Sequence, residues 1–272
     1  MIFTKFSKSE KSLSALLLFF ICILVPNSIH AKNMEIQSLT EILSEPMDAK
    51  TLVLWDIHYT LVEPEPFELW YGSYELFKKE LDDNFLLPWI SKGLRQPFLD
   101  YLTLSVNLKL IDKDSNDVLE RIKKTGARQI AVTKMKPGAL GNFESSASRT
   151  LEQLKPLGLN VLTGNETISS HKQYERRGNI MFVRHSGKAE AIIELMQHKG
   201  CCDFSKILVI DDSASELDAL RNMADGKDMQ INTYLYSGKK NSKPKDDVTW
   251  AQVRDLWTGH SKKAEEALSL RN

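Results

Sequence analysis

Short apolar runs alternate with amphipathic stretches along most of this chain, and the two kinds of stretch differ in period. Residues 51–55, 129–132, 160–162, 179–183, 206–210 and 231–236 are compact apolar runs that read as strands. Residues 117–124, 145–157, 188–198 and 215–223 carry apolar positions at helical spacing, and Gly126, Gly158, Gly200 and Gly226 follow them closely, where a glycine supplies the left-handed stop. Residues 34–47, with Ile36, Leu39, Ile42 and Leu43, predict a short helical lead-in. Alternation on this scale predicts an α/β domain, a Rossmann-like and mainly parallel sheet joined by right-handed crossovers and covered by helices on both faces. In such sheets chemistry gathers in the loops beyond the C-terminal ends of the strands.

The alternation breaks over residues 63–112, where Phe67, Trp70, Tyr71, Tyr74, Phe77, Phe85, Trp89, Phe98 and Tyr101 crowd together. An insertion directly after a strand, rich in aromatic residues, predicts a helical cap over the active face. The core is then 32–62 and 113–272. After Ser237 a lysine-rich stretch with Lys239, Lys240, Lys243 and Lys245 reads as a solvated loop. One amphipathic helix through Trp250, Val253 and Trp257 follows it.

Residues 1–31 stand apart. Lys5, Lys8 and Lys11 precede an apolar stretch of about 13 residues from Leu13 to Val25, and a short polar segment ends at Ala31. That is the layout of an export signal, and the stretch falls short of the roughly 20 residues that span a bilayer. Cleavage after Ala31 is expected, which leaves no stable membrane anchor and a periplasmic or secreted protein. The chain carries 36 basic and 36 acidic residues, and loss of the signal removes three lysines and one glutamate, so the remainder stays near neutral. Near-neutrality argues against a nucleic-acid binder held by phosphate contacts. Cys201 and Cys202 are neighbours with no His or Cys at ligand spacing, so neither a disulfide framework nor a thiolate metal site is implied.

The strand ends hold the candidate chemistry. Asp56 closes the apolar run from Leu52, with Thr60 four residues on; Thr133 follows Ile130-Ala131-Val132; Lys188 opens a helix; and Asp211-Asp212 follow Ile207-Leu208-Val209-Ile210. A carboxylate at such a place can attack a phosphoryl group and carry it covalently. Each element alone is a weak signal. The four in this order resemble the haloacid dehalogenase superfamily over essentially the whole mature chain.

The resemblance implies a HAD-like fold and, because paired acids suit a metal site, the magnesium-dependent phosphatase branch. It makes Asp56 the nucleophile and a metal ligand, together with the backbone carbonyl of His58 and the Asp211-Asp212 pair, with Asp212 favoured as the direct ligand. Thr133 would donate to a phosphoryl oxygen and Lys188 would neutralise shared charge. Thr60, Lys134 and His185 fall on the substrate side, Glu216 is a further acid behind the metal, and the partner is a small phosphorylated molecule. His58 departs from the pattern, since the phosphatase branch usually places a second aspartate there to protonate the leaving alcohol. Three readings stay open: His58 takes over the acid/base role, the phosphorylated enzyme turns over slowly as a transferase or sensor, or the chain binds without catalysis.

Overall fold

The computed structural model describes residues 32–69, 71–164, 167–184, 187–197, 204–225, 230–238 and 248–269. The expected export signal over 1–31, Trp70, His185, Gly200, Cys201, Cys202, Gly226 and the lysine-rich stretch 239–247 lie outside those residues. Among the described residues no helix is long and apolar enough to cross a membrane.

In chain order the strands are β1 (Asn33–Ile36), β2 (Thr51–Asp56), β3 (Val62–Pro64), β4 (Leu108–Leu110), β5 (Arg128–Thr133), β6 (Ile168–Ser170), β7 (Tyr174–Arg177), β8 (Ile180–Val183), β9 (Lys206–Asp211) and β10 (Gln230–Tyr236). The main sheet runs β1-β10-β9-β2-β5-β8-β7-β6. It is parallel from β1 to β8, and β7 and β6 extend it antiparallel. The α/β class and mainly parallel sheet expected from the sequence are therefore the ones found. From β2 the chain builds outward through β5 and β8, then returns to the other side of β2 with β9 and β10. Strand order thus reverses at β2, and a crevice opens there beyond the strand ends.

The helices are α1 (Tyr71–Leu76), α2 (Lys78–Leu81), α3 (Leu87–Ser91), α4 (Arg95–Ser105), α5 (Ser115–Lys124), α6 (Ser146–Leu154), α7 (Asn160–Thr163), α8 (Lys188–Gln197), α9 (Ala214–Ala224) and α10 (Trp250–Ser269). Side chains alternate across a strand, so each central strand feeds two cores. Leu52 and Leu54 join Ile130, Val132, Ile207 and Val209 against α8 and α9. Val53 and Trp55 join Ala131, Leu208 and Ile210 against α5, α6 and α7 on the other face. Trp55 is fully buried, and its indole Nε1 donates to Gln129 Oε1 at 3.1 Å while Gln129 Nε2 donates to the Leu119 carbonyl at 2.8 Å. The buried polar side chains of Trp55 and Gln129 are therefore partnered.

The insertion leaves and re-enters the core through an antiparallel hairpin, β3 against β4, with Val62 opposite Leu110. Between these strands lie α1 to α4, with a π-helical stretch at Asp82–Leu86. Their aromatic residues form a third cluster, in which Trp89 stacks on Phe98 with centroids 4.8 Å apart. Trp257 of α10 packs against both Phe85 and Phe98, at 5.8 and 6.2 Å. Helix α10, counted with the core by its place in the chain, thus lays its apolar face on the insertion.

Two expectations are corrected. Residues 160–162, read as a strand, are one turn of helix in α7, because Gly158 at φ +77° turns the chain and the short apolar run packs as a helix instead. Residues 34–47, read as a helical lead-in, open as edge strand β1, whose Asn33 pairs with Thr233, and only Leu39–Ser44 is helical, as a 3-10 turn with a capping box from Ser38 and Glu41. The β6–β7 extension is an addition to the expected strands. Phe98→Ala would remove the ring shared by Trp89 and Trp257, and we expect chemical denaturation to show a loss of about 3–5 kcal/mol. An unchanged midpoint would contradict the cap core described above.

Candidate functional site

Parallel pairing brings the strand-end residues together. Trp55 is level with Ile210 and Asp56 with Val132, so Asp56, Asp211 and Thr133 reach the same rim of three adjacent strands. Lys188, first residue of α8, comes up from one face, and its Nζ lies 2.5 Å from Asp56 Oδ1 and 2.7 Å from Asp211 Oδ2. Thr60 Oγ1 donates to Asp56 Oδ2 at 3.0 Å. Both oxygens of Asp56 are thereby oriented. The backbone N–H of Ser213 donates to Asp211 Oδ1 at 2.9 Å, and the Ser213 hydroxyl caps α9.

Asp56, Asp211 and Asp212 offer carboxylate oxygens that all lie within 4.8 Å of one another. Asp56 and Asp211 share one ammonium, and Asp212 stands beside them. Burial pushes the Asp56 carboxyl up to about 8; Lys188 opposes the rise, and the charges of Asp211 and Asp212 add to it. Asp211 is raised as well, again mainly by burial. Burial alone would lower the proton affinity of Lys188, but the Asp56 and Asp211 charges outweigh it and hold the ammonium above the ordinary lysine value. Burial chiefly raises the two carboxyls, whereas the carboxylates raise the lysine against burial. An all-oxygen donor set of three clustered carboxylates is the chemistry that a hard divalent cation such as magnesium fits.

His58 is half-buried beside this cluster, and its Nε2 is sequestered without a hydrogen-bond partner. Burial pushes the imidazole down to about 4; the Lys188 ammonium adds to this and Asp212 opposes it. Tyr59 follows at φ +64°, the one described non-glycine residue in the left-handed region. That kink turns the chain directly after the strand and is closed by the Tyr59 N–H donating to the Val62 carbonyl at 2.7 Å.

The other expected residues are distributed as follows. Thr133 is buried on the rim, its hydroxyl accepting from the Met135 N–H at 3.2 Å. Lys134 lines the corner but forms an ion pair with Glu216, so its charge is already matched. Thr60, placed on the substrate side by the sequence reading, is fully buried behind Asp56 and orients that carboxylate instead. His185 lies outside the described residues.

The corner encloses about 200 Å³ and adjoins a cavity of about 350 Å³ beneath the insertion, with His58, Gln96, Asp100 and Asp212 lining both. Gln96 and Asp100, one turn apart on α4, are site residues that the sequence reading missed. Gln96 Nε2 donates to Asp100 Oδ1 at 2.8 Å, and burial pushes the Asp100 carboxyl up to about 6 against that bond and against Lys136. Their i, i+4 spacing inside an aromatic segment was the available signal.

The family described as protein of unknown function (DUF2608) matches residues 32–268, nearly all of the chain. The chain belongs to this family. No curated protein matches it. Among solved structures, the HAD domain of the effector protein Lem4 from Legionella pneumophila is similar over 80% of this chain and 99% of that one, at 12% identity and a TM-score of 0.34. A protein described as haloacid dehalogenase-like, from Burkholderia xenovorans, is similar over 80% and 99%, at 15% identity and a TM-score of 0.36.

The raised Asp56 carboxyl makes a stability prediction. A group that holds its proton more tightly when folded contributes stability that is full below its unfolded value near 4 and is lost as pH rises through about 8. His58, depressed from 6.5 to about 4, acts in the opposite sense below 6.5, so the clean window lies above it. In chelator the unfolding midpoint should fall between about pH 6.5 and 8, and Asp56→Asn should flatten that slope. Equal slopes in the two proteins would contradict the assignment.

Proposed function

We propose that this protein is a magnesium-dependent phosphatase of haloacid-dehalogenase type, acting on a phosphate monoester through an aspartyl-phosphate on Asp56. The observation that carries the reading is the convergence of Asp56, Thr133, Lys188, Asp211 and Asp212 around one small corner at the ends of β2, β5 and β9. Asp56, Asp211 and Asp212, with the His58 backbone carbonyl, would hold the cation, which when bound lowers the repulsion between the nucleophile and an incoming phosphoryl group.

The remaining work belongs to side chains. Thr60 and Lys188 aim the Asp56 carboxylate, so little reorganisation is needed as it approaches phosphorus. Lys188 spreads positive charge over nucleophile and phosphoryl oxygens, and the Thr133 hydroxyl is placed to bond one of those oxygens. His58 stands where the cavity meets the corner, and its Nε2 is buried without a hydrogen-bond partner. In this reading it accepts the proton of the water that releases phosphate from Asp56. From the export-signal layout of residues 1–31 we also infer that the reaction takes place outside the cytoplasm.

The second reading, a phosphate-binding protein without turnover, draws on the same residue, since an imidazole replaces the carboxylic acid usual at that position. Hydrolysis of aryl phosphate with magnesium separates the two. We expect turnover that falls by at least about a thousandfold in Asp56→Asn. A folded wild-type protein inert over a panel of phosphate esters would refute the enzymatic reading. We also expect His58→Ala to accumulate phosphoryl-enzyme in acid-quench experiments, with release slowed about a hundredfold or more. Unaltered release would remove His58 from the mechanism.

A further inference from the structure

We propose that the cavity under the insertion is a leaving-group site for an uncharged apolar moiety about the size of an aromatic ring with a short chain, and that the substrate is therefore a phosphate ester of an apolar alcohol and not of a sugar or nucleotide. The inference rests on the phosphatase reading for the corner and adds the chemistry of the group attached to phosphate.

Position comes first. The cavity of about 350 Å³ shares four lining residues with the corner, so a group esterified to a phosphate seated at Asp56 extends into it. Its size is at the lower end of small-molecule pockets, which fits a compact group. The walls are mostly carbon: Leu69, Leu86, Leu99, Leu102 and Pro64, with Trp257 from α10.

The polar side chains His58, Gln96, Asp100 and Asp212 are those shared with the corner and so stand at the junction, whereas the polar atoms of four further wall residues are already committed. Trp257 Nε1 donates to the Glu68 carbonyl at 3.3 Å, and Tyr59 Oη to the Leu69 carbonyl at 3.3 Å. Tyr74 Oη donates to Asp82 Oδ1 at 3.2 Å, and Thr103 Oγ1 to the Leu99 carbonyl at 3.0 Å. Each ring therefore turns hydrocarbon inward while its hydroxyl or N–H is held by the wall. Beyond the junction a sugar would leave hydroxyls against Leu69, Leu86, Leu99, Leu102 and Trp257 without partners, at a desolvation cost for each. A nucleotide carries a ribose, so the same cost falls on it, and a nucleoside exceeds the compact group that this volume fits.

The test compares two primary alkyl phosphates, 2-phenylethyl phosphate and glycerol phosphate. With the full chain and magnesium, kcat/KM for the phenylethyl ester should exceed that for the glycerol ester by about tenfold or more, the ratio that burial of one ring supplies. In Leu99→Asn the ratio should fall towards one. Equal values in the wild-type protein would overturn the inference while leaving the phosphatase reading intact. If neither ester turns over, the phosphatase reading fails by itself, and binding decides the inference. 2-Phenylethylphosphonate titrated against tryptophan fluorescence should then bind at least about tenfold more tightly than methylphosphonate, and equal affinities would overturn it.

Discussion

Lys188 Nζ lies between two buried carboxylates on neighbouring strands, 2.5 Å from Asp56 and 2.7 Å from Asp211, and the rest of the site is arranged around that contact. A buried carboxylate without a counter-charge is expensive, and two on adjacent strands repel each other. One ammonium bridging both lets β2 and β9 end on acids at the same level. Asp212 brings a third carboxylate to the same corner. Burial, with the neighbouring carboxylates, raises the proton affinity of Asp56, and the three clustered acids link fold to chemistry by making the corner a place for a divalent cation.

The sheet supplies the geometry that this contact requires. Strand order reverses at β2, so β5 and β9 flank it in parallel register, and the crevice beyond the strand ends receives Thr133 from one side and Asp211 from the other. The insertion closes the crevice from above. Its aromatic cluster is completed by α10, which arrives from the far end of the chain and sets Trp257 against Phe85 and Phe98. A cap held by an apolar core of its own can present Gln96 and Asp100 to the corner while keeping the adjoining cavity largely hydrocarbon.

Much of this was legible in the chain because fully buried parallel strands are written as continuous apolar runs, and the residue that ends each run is the one at the rim. Asp56, Thr133 and Asp211 close β2, β5 and β9, and each could be named from that rule. Residues 160–162 were misread because a short apolar run has no period to separate strand from helix, and the turn at Gly158 decided the matter. The opening residues were misread because helical spacing at Ile36, Leu39 and Ile42 also suits an edge strand followed by a 3-10 turn. Side-chain roles were less legible than positions. Thr60 and Lys134 stand near the site as expected, but their bonds to Asp56 and Glu216 depend on distances that no spacing encodes. The spacing of Gln96 and Asp100 could not by itself bring Asp100 to the site, because it comes from the insertion, whose path over the sheet is set by packing between aromatic residues far apart in sequence.

The central claim is that Asp56 receives a phosphoryl group in a corner completed by a divalent cation. A crystal structure of the protein with magnesium and beryllium fluoride tests it most directly. The account predicts a tetrahedral fluoroberyllate bonded to an Asp56 oxygen, with Thr133 and Lys188 on its fluorines and magnesium against Asp211 or Asp212. Magnesium and fluoroberyllate bound elsewhere, or Asp56 left still paired with Lys188 and unmodified at saturating concentrations of both, would contradict it.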